Sequence, residues 1–177
     1  AVRGNNTVDF CRYDAVAGAW ERLADVPLGL SGKKVKGGGD FAYVQLGDSG
    51  YVYFLKGYNS EFYRYNTGLN TWQELPDAPA GIKGRWNRGS WLVYDGASTL
   101  YAHKARYHEL YSFDLALGQW SQAGHLTAMP IPGSGGSKKA KDGSSAAWYR
   151  DGINAFKGSN TQEFWRYDPA SASWHEL

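Results

Sequence analysis

Between residues 40 and 75 apolar and polar positions alternate with a period of two, in four short runs. The runs are DFAYVQL (40–46), YVYFLK (51–56), EFYRYN (61–66) and TWQEL (71–75), rich in the Tyr, Phe, Trp and Val that half-buried strands favour. Gly47-Asp48-Ser49-Gly50 separates the first two runs and Thr67-Gly68-Leu69-Asn70 the last two, both with turn composition. The pattern predicts four consecutive antiparallel strands, labelled a to d in chain order. The same series is predicted at 90–94, 99–104, 109–114 and 119–123, and again within 131–177. Residues 1–27 hold only the end of a strand b, followed by c and d.

A fixed fingerprint marks each c–d hairpin. It reads Tyr13-Asp14…Trp20, Tyr65-Asn66…Trp72, Phe113-Asp114…Trp120 and Tyr167-Asp168…Trp174, with six residues from Asp or Asn to Trp each time. Successive copies lie 52, 48 and 54 residues apart. A period of about 50 residues built from short aromatic strands predicts the blades of a β-propeller. The expected class is therefore all-β, with four-stranded antiparallel blades: three full blades and one truncated blade, an incomplete ring. The divisions are about 1–27 (partial), 28–79, 80–130 and 131–177. Open blade faces need covering, so the ring is expected to be completed by further blades, a second copy or another chain.

The x-aromatic-x-Tyr-Asp run, five residues, Trp and a nearby Pro resemble the kelch motif, over essentially the whole chain. One departure is systematic. Where kelch blades carry Gly-Gly after the second strand, this chain has Arg3-Gly4, Lys56-Gly57, Lys104-Ala105 and Lys157-Gly158. The resemblance implies a binding module more often than an enzyme, and it is similar to secreted or cell-surface bacterial arrays. Its enzyme alternative is a carbohydrate-acting protein of the sialate mutarotase kind, which would use Arg85, Arg88 or Arg106 with glutamates of the b–c turns. A purely structural extracellular assembly protein is the other alternative. Kelch-like copper oxidases use a Tyr-linked Cys, and Cys11, in strand c of the truncated blade, is in the wrong place for that.

Composition narrows the picture further. Net charge is only +2, so the overall balance selects no partner, and nucleic acid is not favoured. One cysteine excludes an internal disulfide and a Cys-based zinc site. His103, His108, His125 and His175 show no ligand spacing, and neither a metal nor a cofactor is expected. No apolar run approaches the ~18 residues of a membrane span. The N-terminus lacks a signal-peptide form, and Ala1-Val2-Arg3-Gly4 reads as the end of a strand under way, as in a piece of a longer chain. GSGGSKK (133–139) has phosphate-loop composition without the required spacing and reads as a turn.

Two charged features recur in phase. Arg3/Asp9, Lys56/Glu61, Lys104/Glu109 and Lys157/Glu163 flank the b–c turns, where hairpin ends face each other. They read either as structural ion pairs or as charges at the channel mouth. The d–a connections carry Lys33, Lys34 and Lys36, then Lys83, Arg85 and Arg88, then Lys138, Lys139 and Lys141. Strand alternation puts these loops on one face, with Lys36, Arg88 and Lys141 nearest the axis. That face is expected to receive an anionic polysaccharide or an acidic protein segment. The phased Trp20, Trp72, Trp120 and Trp174 read as packing between blades, whereas Trp86, inside a basic loop, is a candidate to stack on a ligand.

Overall fold

The c–d fingerprint has a direct physical cause. Asp14 Oδ1 accepts the N–H groups of Val16 and Ala17, Asn66 Oδ1 those of Gly68 and Leu69, and Asp114 Oδ1 those of Ala116 and Leu117. Asp168 does the same for Ala170. Each side-chain oxygen closes the turn, and Asn66 serves as well as Asp because only an acceptor is needed. With the turn length fixed, the aromatic before it pairs with the Trp after it: Tyr13 with Trp20, Tyr65 with Trp72, Phe113 with Trp120 and Tyr167 with Trp174.

The computed structural model describes residues 1–177 and contains fourteen strands and no helix. The first sheet is the pair β1 (Cys11–Asp14) and β2 (Ala19–Arg22). The second holds β3 (Asp40–Leu46), β4 (Ser49–Leu55), β5 (Phe62–Asn66) and β6 (Thr71–Leu75). The third holds β7 (Trp91–Tyr94), β8 (Thr99–Lys104), β9 (Glu109–Asp114) and β10 (Gln119–Trp120). The fourth holds β11 (Ser145–Trp148), β12 (Ile153–Phe156), β13 (Phe164–Asp168) and β14 (Ser173–Glu176). All pair antiparallel with their sequence neighbours, as blades do. The innermost strands β3, β7 and β11 adjoin in turn, and the Leu92 N–H donates to Asp40 Oδ2 at 2.9 Å across that inner seam. The molecule is an incomplete β-propeller.

One expected strand is cut short. The sequence predicts 119–123, but β10 ends at Trp120. Ser121 still bonds to Ser112; the chain then turns out through Gly124, at φ +87°, and rejoins at Leu126, opposite Leu110. Extra residues between Trp120 and Pro130 are accommodated as a bulge of the outer edge.

Three apolar clusters fill the three gaps between successive sheets. Trp72, Trp120 and Trp174 belong to these gaps, and each indole N–H reaches back to the preceding blade: to Ala24 O at 2.9 Å, Pro76 O at 3.0 Å and Thr127 O at 2.9 Å. Trp20 departs from the expectation. It is 64% exposed and touches mainly its hairpin partner Tyr13, because no sheet stands in front of β1–β2.

The cluster between the third and fourth sheets contains an unusual group. His103 is fully buried, stacked on Trp91 with ring centroids 4.9 Å apart, at the position that Leu55 holds one blade earlier. Burial pushes its pKa down to about 3, with the neighbouring His108 adding to the effect.

Two outcomes follow from this packing. Trp72→Ala should cost about 3–5 kcal/mol in chemical denaturation, whereas Trp20→Ala should stay within about 0.5 kcal/mol. Similar losses at the two sites would refute the inter-blade role. For His103, the unfolded chain takes up a proton near pH 6.5 and the folded chain only near 3. Stability is therefore fully present above pH 6.5 and falls as pH drops, by about 1.4 kcal/mol per unit from this group. His103→Leu should flatten the stability profile between pH 6 and about 4; an unchanged slope would show that other groups set it.

Candidate functional site

The b–c turns and the d–a connections lie on one face and are fastened to each other in two ways, both of which operate in the second and third blades. The first fastening is an ion pair. Lys56 and Glu61 approach to 2.8 Å, Lys104 and Glu109 to 3.6 Å, and Lys157 and Glu163 to 2.6 Å. All six side chains are at least 95% buried. Each ammonium also donates to carbonyls of the connection that leads into its own blade: Lys56 to Pro27 and Leu28, Lys104 to Ala80, and Lys157 to Ile131. The carboxylates take backbone N–H groups of the same connections, Glu61 from Ser31 at 3.1 Å and Glu109 from Ile82 at 2.8 Å. Burial alone would raise the Glu163 carboxyl; bonds from Lys157 and the Trp165 indole outweigh it and hold it below the usual range. For Lys104 burial wins over Glu109, and its ammonium is easier to deprotonate than usual.

The channel-mouth reading of these pairs is therefore corrected. Lys56, Glu61, Lys104, Glu109, Lys157 and Glu163 sit beneath the loops, sealed from solvent, and are engaged with each other and with backbone. The first-blade pair differs: Arg3 and Asp9 are 3.4 Å apart with the guanidinium 73% exposed, since no connection covers them.

The second fastening joins each b–c turn to the connection that follows its blade. The N–H of Asn6 donates to Val35 O at 2.8 Å, that of Tyr58 to Trp86 O at 2.6 Å, and that of Arg106 to Ala140 O at 2.9 Å. Val35, Trp86 and Ala140 are equivalent and all buried. Each is the apolar centre of a basic cluster: Lys34-Val35-Lys36, Arg85-Trp86-Asn87-Arg88 and Lys139-Ala140-Lys141. Anchoring the centre turns the flanking bases outward, and Lys33, Lys34, Lys36, Lys83, Arg85, Arg88, Lys138, Lys139 and Lys141 are all exposed. This corrects the reading of Trp86. It is fully buried, packed near Tyr111 and Trp120 with the Lys104 ammonium 5.6 Å from its ring, and has no face for a ligand.

Glycine lets neighbouring connections touch. A Cβ at Gly89, which has φ +86°, would fall 1.8 Å from Lys141 O, so only glycine admits that loop. At Gly37 a Cβ would meet the Arg88 side chain at 3.0 Å. Through these contacts the Lys36, Arg88 and Lys141 segments converge around the axis. Lys36 and Arg88 line one open concavity of about 510 Å³ with Asn5 and Asn6. Lys36 also lines a second, of about 240 Å³, with Lys33, Lys34, Arg85, Tyr58 and Asn59. No acidic residue lines either one. Lys83, Lys139 and Lys141 lie outside both, and the Lys138 ammonium is occupied by Asn160 O at 3.1 Å. The b–c turn residues Asn5, Asn6, Tyr58 and Asn59 were missed by charge-based reasoning; the phase of the turns is the signal that would have found them.

No family model and no curated protein matches this sequence. Among solved structures the chain resembles one in the crystal structure of the mitotic checkpoint complex, with a TM-score of 0.58 at 16% identity. The match covers 97% of this chain and 44% of that one, so this chain spans less than half of its neighbour's length. At such identity the likeness concerns the fold, and it agrees with the propeller geometry above.

The buried pairs give a sharp mutational expectation. Lys104→Met leaves Glu109 charged and uncompensated and should cost about 3–5 kcal/mol in equilibrium unfolding. Lys104→Met combined with Glu109→Gln keeps an acceptor for the Ile82 N–H and should recover much of the loss. Equal losses in the single and double variants would assign the effect to the lysine stem's packing instead.

Proposed function

We propose that the chain is a non-catalytic interaction module whose loop face binds an extended anionic polymer, an acidic protein segment or an acidic polysaccharide. The observation that carries this reading is the sharing of Lys36 between two adjoining, acid-free basic concavities. A ligand with several negative groups along its length meets both at once. Each exposed base alone is a weak contact, screened within about 8 Å at physiological salt. Affinity then comes from several contacts made together. The kelch-like character of the repeat, a family rich in binding modules, supports the same reading. The sugar-acting alternative depends on a free glutamate near an arginine at the mouth. Glu61, Glu109 and Glu163 are instead committed to buried lysines.

Charge reversal at Lys36, Arg88 and Lys141 tests the proposal against reversal at Arg12, Arg64 and Arg150, which lie outside the basic clusters. Both triple variants change net charge equally. Titration with heparin and with polyglutamate, each at two salt concentrations, should show a far larger loss for the loop variant. Equal losses would mean that only total charge matters and would overturn the assignment of the face.

A further inference from the structure

Ala140, the apolar centre of the third basic cluster, is gripped on both sides by the b–c turn of the third blade. Its carbonyl accepts from the Arg106 N–H, and its own N–H donates to His108 Nε2 at 3.0 Å. The other ring nitrogen, Nδ1, lies 2.9 Å from Met129 O. A carbonyl can only accept, so Nδ1 carries the ring proton and Nε2 presents its lone pair to Ala140. Two partners on opposite sides thus fix one neutral tautomer. His108, Met129 and Ala140 are all buried.

The earlier blades build the same fastening without a titratable part. Val35, equivalent to Ala140, donates its N–H to the backbone oxygen of Thr7 at 3.0 Å and accepts from the Asn6 N–H at 2.8 Å. In the second blade Ser60 stands where His108 does: its carbonyl takes the Ala78 N–H as that of His108 takes the Met129 N–H. A backbone carbonyl and a hydroxyl keep their state across ordinary pH, and an imidazole does not.

A further proton on the His108 ring has one place to go, Nε2. Taken up from solvent, it turns the acceptor into a donor and sets one N–H against another, leaving the Ala140 N–H unpaired in a dry site. The ring would also become a cation facing Lys139 of the connection and Lys157 of the fourth blade, with the Glu163 carboxylate already bonded to Lys157. On its own blade stand His103, kept neutral by burial, and the mutually paired Lys104 and Glu109. Burial, then Lys157 and Lys139, hold the His108 pKa below its ordinary value, against the Met129 bond and Glu163, which favour the charged form.

We propose that His108 is a proton-operated latch of the loop face: on acidification its ring lets go of Ala140, and the connection that displays Lys138, Lys139 and Lys141 is released from the third blade's turn. The latch rests on these hydrogen bonds alone and holds whichever ligand the face takes. Release returns the ring to water, where it takes a proton near pH ~6.5. Closure is therefore fully favoured above that pH and weakens as pH falls, the opening equilibrium rising by up to about tenfold per unit.

Amide hydrogen exchange of the ligand-free chain from about pH 7.5 to 4.5, corrected for the intrinsic pH dependence of exchange, tests this. Protection of the Ala140 amide should fall by up to about tenfold per unit below pH ~6.5, while that of Val35 stays level. Amides of β9 report global unfolding, which His103 also makes pH-dependent, and should fall less steeply than Ala140. His108→Gln offers an oxygen in place of Nε2 and takes up no proton, so it should leave Ala140 protection as level as that of Val35. Three results would overturn the proposal: level Ala140 protection in the unmodified chain, loss of protection only in step with the β9 amides, or an unchanged pH dependence in His108→Gln. Should that variant fail to fold, the comparison of Ala140 with Val35 and β9 inside the unmodified chain decides.

Discussion

A buried lysine holding a glutamate on one side and backbone carbonyls on the other is the constraint on which the loop face depends. The Lys56, Lys104 and Lys157 ammonium groups are removed from water, which is tolerable only if nearly every proton finds an acceptor. The acceptors come from a connection that would otherwise be an irregular loop: Pro27 and Leu28, Ala80, or Ile131. Charge burial and loop order are thus one event. A connection that drifted away would leave both charges dry and unpaired, so the pair enforces a single path for the chain above it. Gly29 and Gly81 fit this path, since a Cβ at either would strike Glu61 and Tyr63, or Glu109 and Tyr111.

The display of positive charge follows from that order. Once a connection is pinned at its start by the lysine, its later part reaches the preceding blade's b–c turn, which takes hold of Val35, Trp86 or Ala140. A buried residue flanked by bases can place those bases only outward. The electrostatic face is therefore a by-product of backbone fastening, repeated once per blade. Its focus near the axis comes from glycine contacts between successive connections.

Most of the architecture was legible because the repeat is strict. The turn-closing Asp or Asn, the Trp opposite the aromatic and the alternation within strands each reflect local physics, and local physics shows in spacing. The burial of the Lys–Glu pairs and of Trp86 was not legible. The first depends on a connection some 30 residues away folding back over the pair, for example Ser31 onto Glu61, and the second on the connection that carries Trp86 docking it against Tyr111 and Trp120. Charge composition gave no sign of that cover. Phase did carry a sign for Trp86, since Val35 and Ala140 occupy the same place and neither is suited to stacking on a ligand. The shortened β10 escaped for a different reason: its length was carried over from the equivalent strand of the second repeat, whereas here the chain turns out of the sheet near Gly124.

The first blade serves as an internal comparison for the buried pairs. Arg3 and Asp9 occupy the same two positions around the same kind of turn, yet they are solvated, and Asp9 also meets Arg22 at 3.1 Å. An exposed pair of this kind contributes about 0–1 kcal/mol, so the residue types and the turn do not by themselves create the clamp. What differs is the covering connection. In the later blades it excludes water, and only then does each proton and lone pair have to be matched. The identity of the base follows the same division. Lysine's compact ammonium suits a sealed pocket of backbone carbonyls, whereas arginine's broad fork suits a wet surface, where Arg3 and Arg22 share the Asp9 carboxylate.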